Sequence, residues 1–282
     1  MNYTMKKNDI MCAEIIYDED DNEDNINNED IVLLSTQTLK KKRVMKPKVV
    51  LQKCFHQDEN IYEIGVDEVG RGPLFGRVYT AAVILPKDDT FDCSIVKDSK
   101  KFTSKKKILE AAQYIKENAL AWYISFEDEK TIDNINILQA TQLSMHNSIL
   151  EIRKQMNKKL NSQGKVEKKD YQYSLLIDGN YFKPFTYLDK KTNKIETMPH
   201  VTIEGGDNKF ASIAAASILA KVERDKYIQE LCEQNPTLSE HYGIDSNKGY
   251  GAKRHMEGIK EHGITIWHRR SFGICKSFQS TF

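Results

Sequence analysis

Two neighbouring carboxylates close an apolar run at Ile64-Gly65-Val66-Asp67-Glu68, and a glycine-framed turn, Gly70-Arg71-Gly72-Pro73, follows at once. A charge taken out of water without a partner is costly or is neutralised. Two acids at the end of a buried strand therefore restrict the chain to folds that use them. Adjacent strand residues point to opposite faces. Asp67 and Glu68 can line one site only if the strand ends there and the chain turns, which Gly70 and Gly72 permit.

The pattern beyond residue 60 is that of an α/β domain. Runs rich in Val, Ile and Tyr at 61–67, 78–85, 119–126, 173–178 and 200–204 read as strands. Residues 103–118 repeat apolar positions at Ile108, Ala112 and Ile115, a helical spacing. Residues 131–156 read as one long helix with Ile135, Leu138, Met145 and Ile149 on a stripe. The Ala-rich stretch 208–234 reads as a helix whose small side chains suit close packing on a sheet. Residues 179–198 form a charged connection without a clear pattern. Strands interleaved with helices predict a mixed sheet of five strands with helices on its faces.

Residues 1–59 read as a separate tail that cannot bury enough apolar surface to order itself. Residues 1–30 hold ten acids and only Lys6 and Lys7 as bases, whereas 31–56 hold seven bases and no acid. The basic stretch Lys40–Lys48 reads as a nuclear-import signal, a nucleic-acid contact or a solvated linker. Five scattered cysteines with no C-x-x-C spacing point to a reducing, intracellular setting. No apolar run approaches the ~18 residues of a membrane span.

Further acids stand where strands end: Asp178 closes "YSLLID", and Asp207 follows "HVTIEGG". Carboxylates that converge without matched bases repel one another, and a hard divalent cation relieves this. Two such ions ~4 Å apart can activate water and stabilise a leaving alkoxide in phosphodiester cleavage.

The blocks "GVDEVGRGPLFG" (65–76), "DSKKFT" (98–103), "LIDGN" (176–180), "GD" (206–207), "ASIAAASILAKVERD" (211–225), "KGYGAKRH" (248–255) and "HRRSF" (268–272) occur in the order seen in ribonuclease HII. The chain resembles that family over about residues 61–273. The related ribonuclease HIII has threonine in place of the motif's arginine, so Arg71 favours type HII. The resemblance implies a ribonuclease H-like fold with a helical C-terminal part, dependence on Mg²⁺ or Mn²⁺, and a cytoplasmic setting. It implies hydrolysis of RNA in RNA–DNA hybrids and incision 5′ of a ribonucleotide embedded in duplex DNA, leaving 5′-phosphate and 3′-hydroxyl ends.

Carried over by motif, Asp67, Glu68 and Asp178 are the expected metal ligands. The fourth acid is Asp207 or Asp225. If 208–225 is one helix, ~27 Å separates the two along its axis, which favours Asp207 at the helix N-terminus and makes Asp225 a structural partner of a nearby base. Gly70, Arg71 and Gly72 are expected to bring backbone close to the ribose, and Tyr250 to stack beside it. Lys100, Lys101 and Lys221 are candidate phosphate contacts, with Lys248, Lys253, Arg269 and Arg270 as further ones. His255 and His268 are assigned to packing or substrate-side hydrogen bonds rather than to base catalysis. No membrane partner is expected, and a monomer with a tail-borne protein contact is. The alternatives are a catalytically silent binding protein on the same fold and a nuclease of long hybrids alone.

Overall fold

The computed structural model describes residues 50–96, 102, 104–162, 172–189 and 192–278. β1 (Ile61–Val69) turns through the Gly70–Arg77 loop into β2 (Val78–Ile84). α1 (Lys105–Asn118), β3 (Ala121–Glu127), α2 (Glu129–Ser162) and β4 (Gln172–Asp178) follow. A small hairpin of β5 (Thr186–Asp189) and β6 (Lys194–Thr197) precedes β7 (His200–Ile203). A 3₁₀ turn at Gly206–Asn208 leads into α3 (Ala211–Gln234). Three short helices, α4 (Thr237–Tyr242), α5 (Ile244–Asn247) and α6 (Lys253–His262), build the C-terminal part.

The main sheet has the order β3-β2-β1-β4-β7. β1 pairs antiparallel with β2 and parallel with β4, so it lies at the centre. Every residue of β2 is buried, because both sheet faces are covered. On one face Tyr79, Ala81 and Val83 pack against α1 and α3. On the other, Ile64, Val66, Ala82 and Ile84 meet Met145, Ile149, Ile152 and Met156 of α2. Each Val, Ile and Met among them contributes about 1.5–3 kcal/mol when fully buried.

The Ala-rich α3 lies against β1 as its composition predicts. A methyl at Gly65 would sit 2.3 Å from the carbonyl carbon of Ser212, so only glycine allows this approach. The buried positions of α1 include Ile108, Ala112 and Ile115, the expected stripe.

Three features differ from the sequence reading. The long helix is broken at Asn136, whose φ of 68° and ψ of 162° are not helical. Asn136 Oδ1 accepts from the Gln139 amide (3.1 Å) and starts the second segment as a cap would. The break shifts the helical phase, so Met145 and Ile149 stay buried while Ile135 is exposed. The 179–198 connection contains the β5–β6 hairpin, with Leu188 opposite Ile195 and both exposed. Residues 50–59, read as tail, pack on the body. Gln52 bonds Lys209 and Ala211 through its backbone, and the Phe55 amide donates to the buried Glu63 carboxylate.

Candidate active site

The strand register brings the acids together. Val66 pairs with Ile177, so Asp67 and Asp178 are the next residues along two adjacent parallel strands. Their side chains share the face covered by α3. Gly65 touches Ser212 and Ile213 there, and Leu176 packs with Ile213. Asp67 is buried and accepts a hydrogen bond from Ser217 of α3 and another from the Glu68 amide (2.6 Å). Burial first, then the charges of Glu68 and Asp178, push its carboxyl well above the ordinary carboxylate range.

Glu68 corrects the expectation that β1 ends at the acids. Pairing with β2 continues through Glu68–Thr80 and Val69–Tyr79, so the two acids leave β1 on opposite faces, yet the Glu68 carboxylate stays close enough to Asp67 and Asp178 for their charges to interact. Burial raises the Glu68 carboxyl; Arg71, which donates to it at 3.1 Å, opposes the rise, and Asp178 adds to it. Among the described residues, no three His, Cys, Asp or Glu side chains close into a ready-made metal cage. Mg²⁺ is commonly held by one or two carboxylates and keeps waters and substrate phosphate oxygens as its other ligands. The crowded oxygen donors around Asp67 fit a hard divalent ion.

Asp207 is buried in the 3₁₀ turn ahead of α3. The neighbouring Gly206 amide donates to Asp178 Oδ1 at 2.7 Å. Asp225 lies inside α3, which runs unbroken from Ala211, and bonds Lys221 at 2.9 Å. α3 thus supplies 211–225 of the expected 208–225 helix, while the extended Phe210 separates it from the 3₁₀ turn that carries Asp207.

The turn after the acids is stitched to the C-terminal part. The Leu74 amide donates to Gly249 O at 2.9 Å. A methyl at Gly72 would lie 3.7 Å from Tyr250 Cε1, so the Gly70-Arg71-Gly72 turn and the half-exposed Tyr250 ring form one surface.

A family model described as Ribonuclease HII matches residues 64–275. The chain belongs to the ribonuclease HII family. A ribonuclease HII of Bacteroides thetaiotaomicron is 41% identical over 219 residues, covering 77% of this chain and 92% of that protein. One from Neisseria meningitidis serogroup C is 38% identical over 215 residues, covering 76% and 93%. Among solved structures, ribonuclease H2 of Pyrococcus horikoshii OT3 matches with a TM-score of 0.54 at 19% identity, covering 76% of this chain and 95% of that one. The ribonuclease HII of Archaeoglobus fulgidus, solved in a PCNA complex, matches with a TM-score of 0.52 at 22% identity, covering 76% and 96%. At that identity the likeness speaks for the fold, and it is the mixed five-stranded sheet expected from the sequence. The chain is a ribonuclease H enzyme, a nuclease of RNA–DNA hybrids.

For a ribonuclease HII the remaining predicted residues divide clearly. Arg71 is exposed. Lys221 sits one turn beyond Ser217 on α3 and is paired with Asp225. Lys100, Lys101 and the Lys40–Lys48 stretch lie outside the described residues. Lys248 donates from Nζ to Asp245 O (2.6 Å), and Lys253 is exposed. Arg269 is not a phosphate contact: it is fully buried and bonded to backbone carbonyls. Arg270 uses its own amide to bond Asp133. His255 and His268 are buried and bonded to each other, which fits the packing alternative rather than the substrate-side one. Among the described residues no helix is long and apolar enough to cross a membrane.

Sequence reasoning missed Ser217 and Arg224. Ser217 carries no signal beyond a small polar residue in an Ala-rich helix. Arg224 stands in the "KVERD" block, yet its buried bonds to Arg77 O, Phe75 O and Lys248 O depend on tertiary structure.

Proposed function

We propose that this ribonuclease H is a Mg²⁺- or Mn²⁺-dependent endonuclease that cuts RNA in RNA–DNA hybrids and also incises 5′ of single ribonucleotides in duplex DNA. The products carry 5′-phosphate and 3′-hydroxyl ends. The observation that carries this reading is the register of β1 and β4, which makes Asp67 and Asp178 neighbours three residues from a Gly-Arg-Gly turn faced by Tyr250.

Asp67 and Asp178 would hold a pair of divalent ions, with Glu68 and Asp207 completing the oxygen donors. When bound, the ions supply charge neutralisation and activation of the attacking water. Ser217 orients Asp67, and the Gly206 amide orients Asp178. Backbone at Gly70 and Gly72 approaches the sugar without side chains in the way, reading the 2′-hydroxyl whatever the base. The Tyr250 ring stacks on the adjoining residue, and Arg71 offers its planar fork to a phosphate.

The test is cleavage of a duplex DNA carrying one ribonucleotide, run beside a long RNA–DNA hybrid. Both are expected to be cut, and excess EDTA or Asp178→Asn is expected to abolish both reactions. Asp207→Asn should cost more than the roughly 10–100-fold of an outer-shell change, whereas Asp225→Asn stays within that range. Full activity of Asp178→Asn would overturn the proposal, and cutting of the hybrid alone would remove its single-ribonucleotide half.

A further inference from the structure

Two adjacent residues near the C-terminus, His268 and Arg269, reach both halves of the sugar-facing surface. Arg269 is wholly buried, yet it touches no carboxylate among the described residues. Its guanidinium donates instead to four carbonyls of the loop after β1: Gly70 (2.6 Å), Arg71 (3.0 Å), Pro73 (2.9 Å) and Gly76 (2.8 Å). Burial first, and then the like charge of Arg224, work against keeping this cation. So expensive a group is retained where removing it would leave several buried carbonyls unmet.

The consequence for the turn follows from peptide geometry. In a planar trans peptide the C=O and the N–H point in opposite directions. The Gly70 carbonyl shares its peptide with the Arg71 amide, and the Arg71 carbonyl with that of Gly72. Drawing both carbonyls inward to Arg269 turns these two N–H groups outward. Arg71 and Gly72 are exposed, and neither amide has an acceptor among the described residues. The turn thus presents two outward donors beside the Tyr250 ring, which a methyl at Gly72 would approach to 3.7 Å.

His268 acts on the other half. The Thr265 amide donates to His268 Nδ1 at 3.0 Å, which places the ring proton on Nε2. That proton points to His255 Nε2 at 3.1 Å, so the His255 proton is on Nδ1 and is donated to Tyr250 O at 2.8 Å. The order Thr265–His268–His255–Tyr250 is a one-way chain of donors that ends on the backbone of the stacking residue.

We infer that Arg269 and the His268–His255 pair are positioning residues for ribose recognition: Arg269 aims the Arg71 and Gly72 amides at the 2′-hydroxyl, and the histidines fix Tyr250 beside it. This rests on the proposal that the turn reads ribose. It adds that the reading is set by residues that never touch the substrate.

The experiment measures binding of the full chain, with Ca²⁺ in place of Mg²⁺ to hold off cleavage. The probes are a duplex DNA containing one ribonucleotide and its all-deoxy counterpart. Wild type should prefer the ribonucleotide duplex. Arg269→Lys, which cannot span four carbonyls, should bind that duplex about tenfold more weakly. Its affinity for the all-DNA duplex, and its Mn²⁺ affinity by calorimetry, should be unchanged. A folded Arg269→Lys with the wild-type preference overturns the inference, as does equal weakening on both duplexes. If Arg269→Lys does not fold, His255→Gln replaces it, because its amide stands in for Nε2 alone and releases the Tyr250 carbonyl. The same selective weakening is expected, and its absence overturns the inference. A wild type without preference removes the ribose reading itself, an outcome seen before any variant is made.

Discussion

At the scale of single residues, the buried histidines carry a measurable signature. Burial, and then the neighbouring His255, push His268 from an ordinary 6.5 down to about 3. Burial also lowers His255, although its bond to Tyr250 O opposes the shift. Both rings are neutral in the folded protein near pH 7. Below about pH 6.5 the unfolded chain takes up a proton that the folded His268 refuses. Its contribution to stability is therefore complete above pH 6.5 and is lost as the pH falls toward 3. For one such group the slope is about 1.4 kcal/mol per pH unit, or about 2 kcal/mol by pH 5. Urea unfolding of wild type and His268→Gln at pH 7 and pH 5 checks this. The variant should be less stable at pH 7 and should lose less stability on acidification; equal pH slopes would remove the argument. The sequence singled out both histidines and excluded base catalysis, but could not show that they bond each other, since that depends on the fold of 250–268.

At the scale of elements, the face that carries Asp67 and Asp178 depends on how closely α3 lies on β1. Small residues of α3 made that packing legible in the sequence, as the period of α1 made its buried stripe legible. The complementary role of Gly65 was not legible, because it arises from the helix pressed against it rather than from the strand. A methyl at Gly65 would lie within 2.6 Å of Ser212 C, Ser212 O and Ile213 N, all backbone atoms that cannot rotate aside. Gly65→Ala must therefore push α3 off the sheet, carrying Ser217 away from Asp67. The expected cost is at least the ~1–3 kcal/mol of an overpacked core. A lowered unfolding temperature and a loss of cleavage larger than that destabilisation alone explains are the outcomes to look for. Unchanged stability would show that the helix is not held where this contact requires. The broken α2 makes the opposite point. Its apolar spacing continues through Asn136 in the sequence, and only the positive φ there shifts the phase and leaves Ile135 outside.

At the scale of the whole molecule, the site is a product of strand order. Each acid-tipped strand was visible in the sequence, but no local pattern says that β4 lies beside β1 with Val66 opposite Ile177. That pairing puts Asp67 and Asp178 together, and the loop from β7 into α3 adds the Gly206 amide to Asp178. The unfolded chain holds these carboxylates far apart, so a divalent ion bound between them binds the native state alone. Ligand linkage then fixes the size of the effect: at a hundred times its dissociation constant the ion stabilises by about 2.7 kcal/mol. For a domain of this size that corresponds to a rise of roughly 5–10 °C in unfolding temperature. Thermal unfolding of the full chain with and without Mn²⁺, in the absence of substrate, measures it. Asp178→Asn and Asp67→Asn should each remove most of the rise, while Asp225→Asn, whose carboxylate is paired with Lys221, should keep it. Because the readout is stability rather than cleavage, it tests the metal half of the site independently of the sugar-reading half. An Mn²⁺ shift that survives Asp178→Asn would place the ion elsewhere.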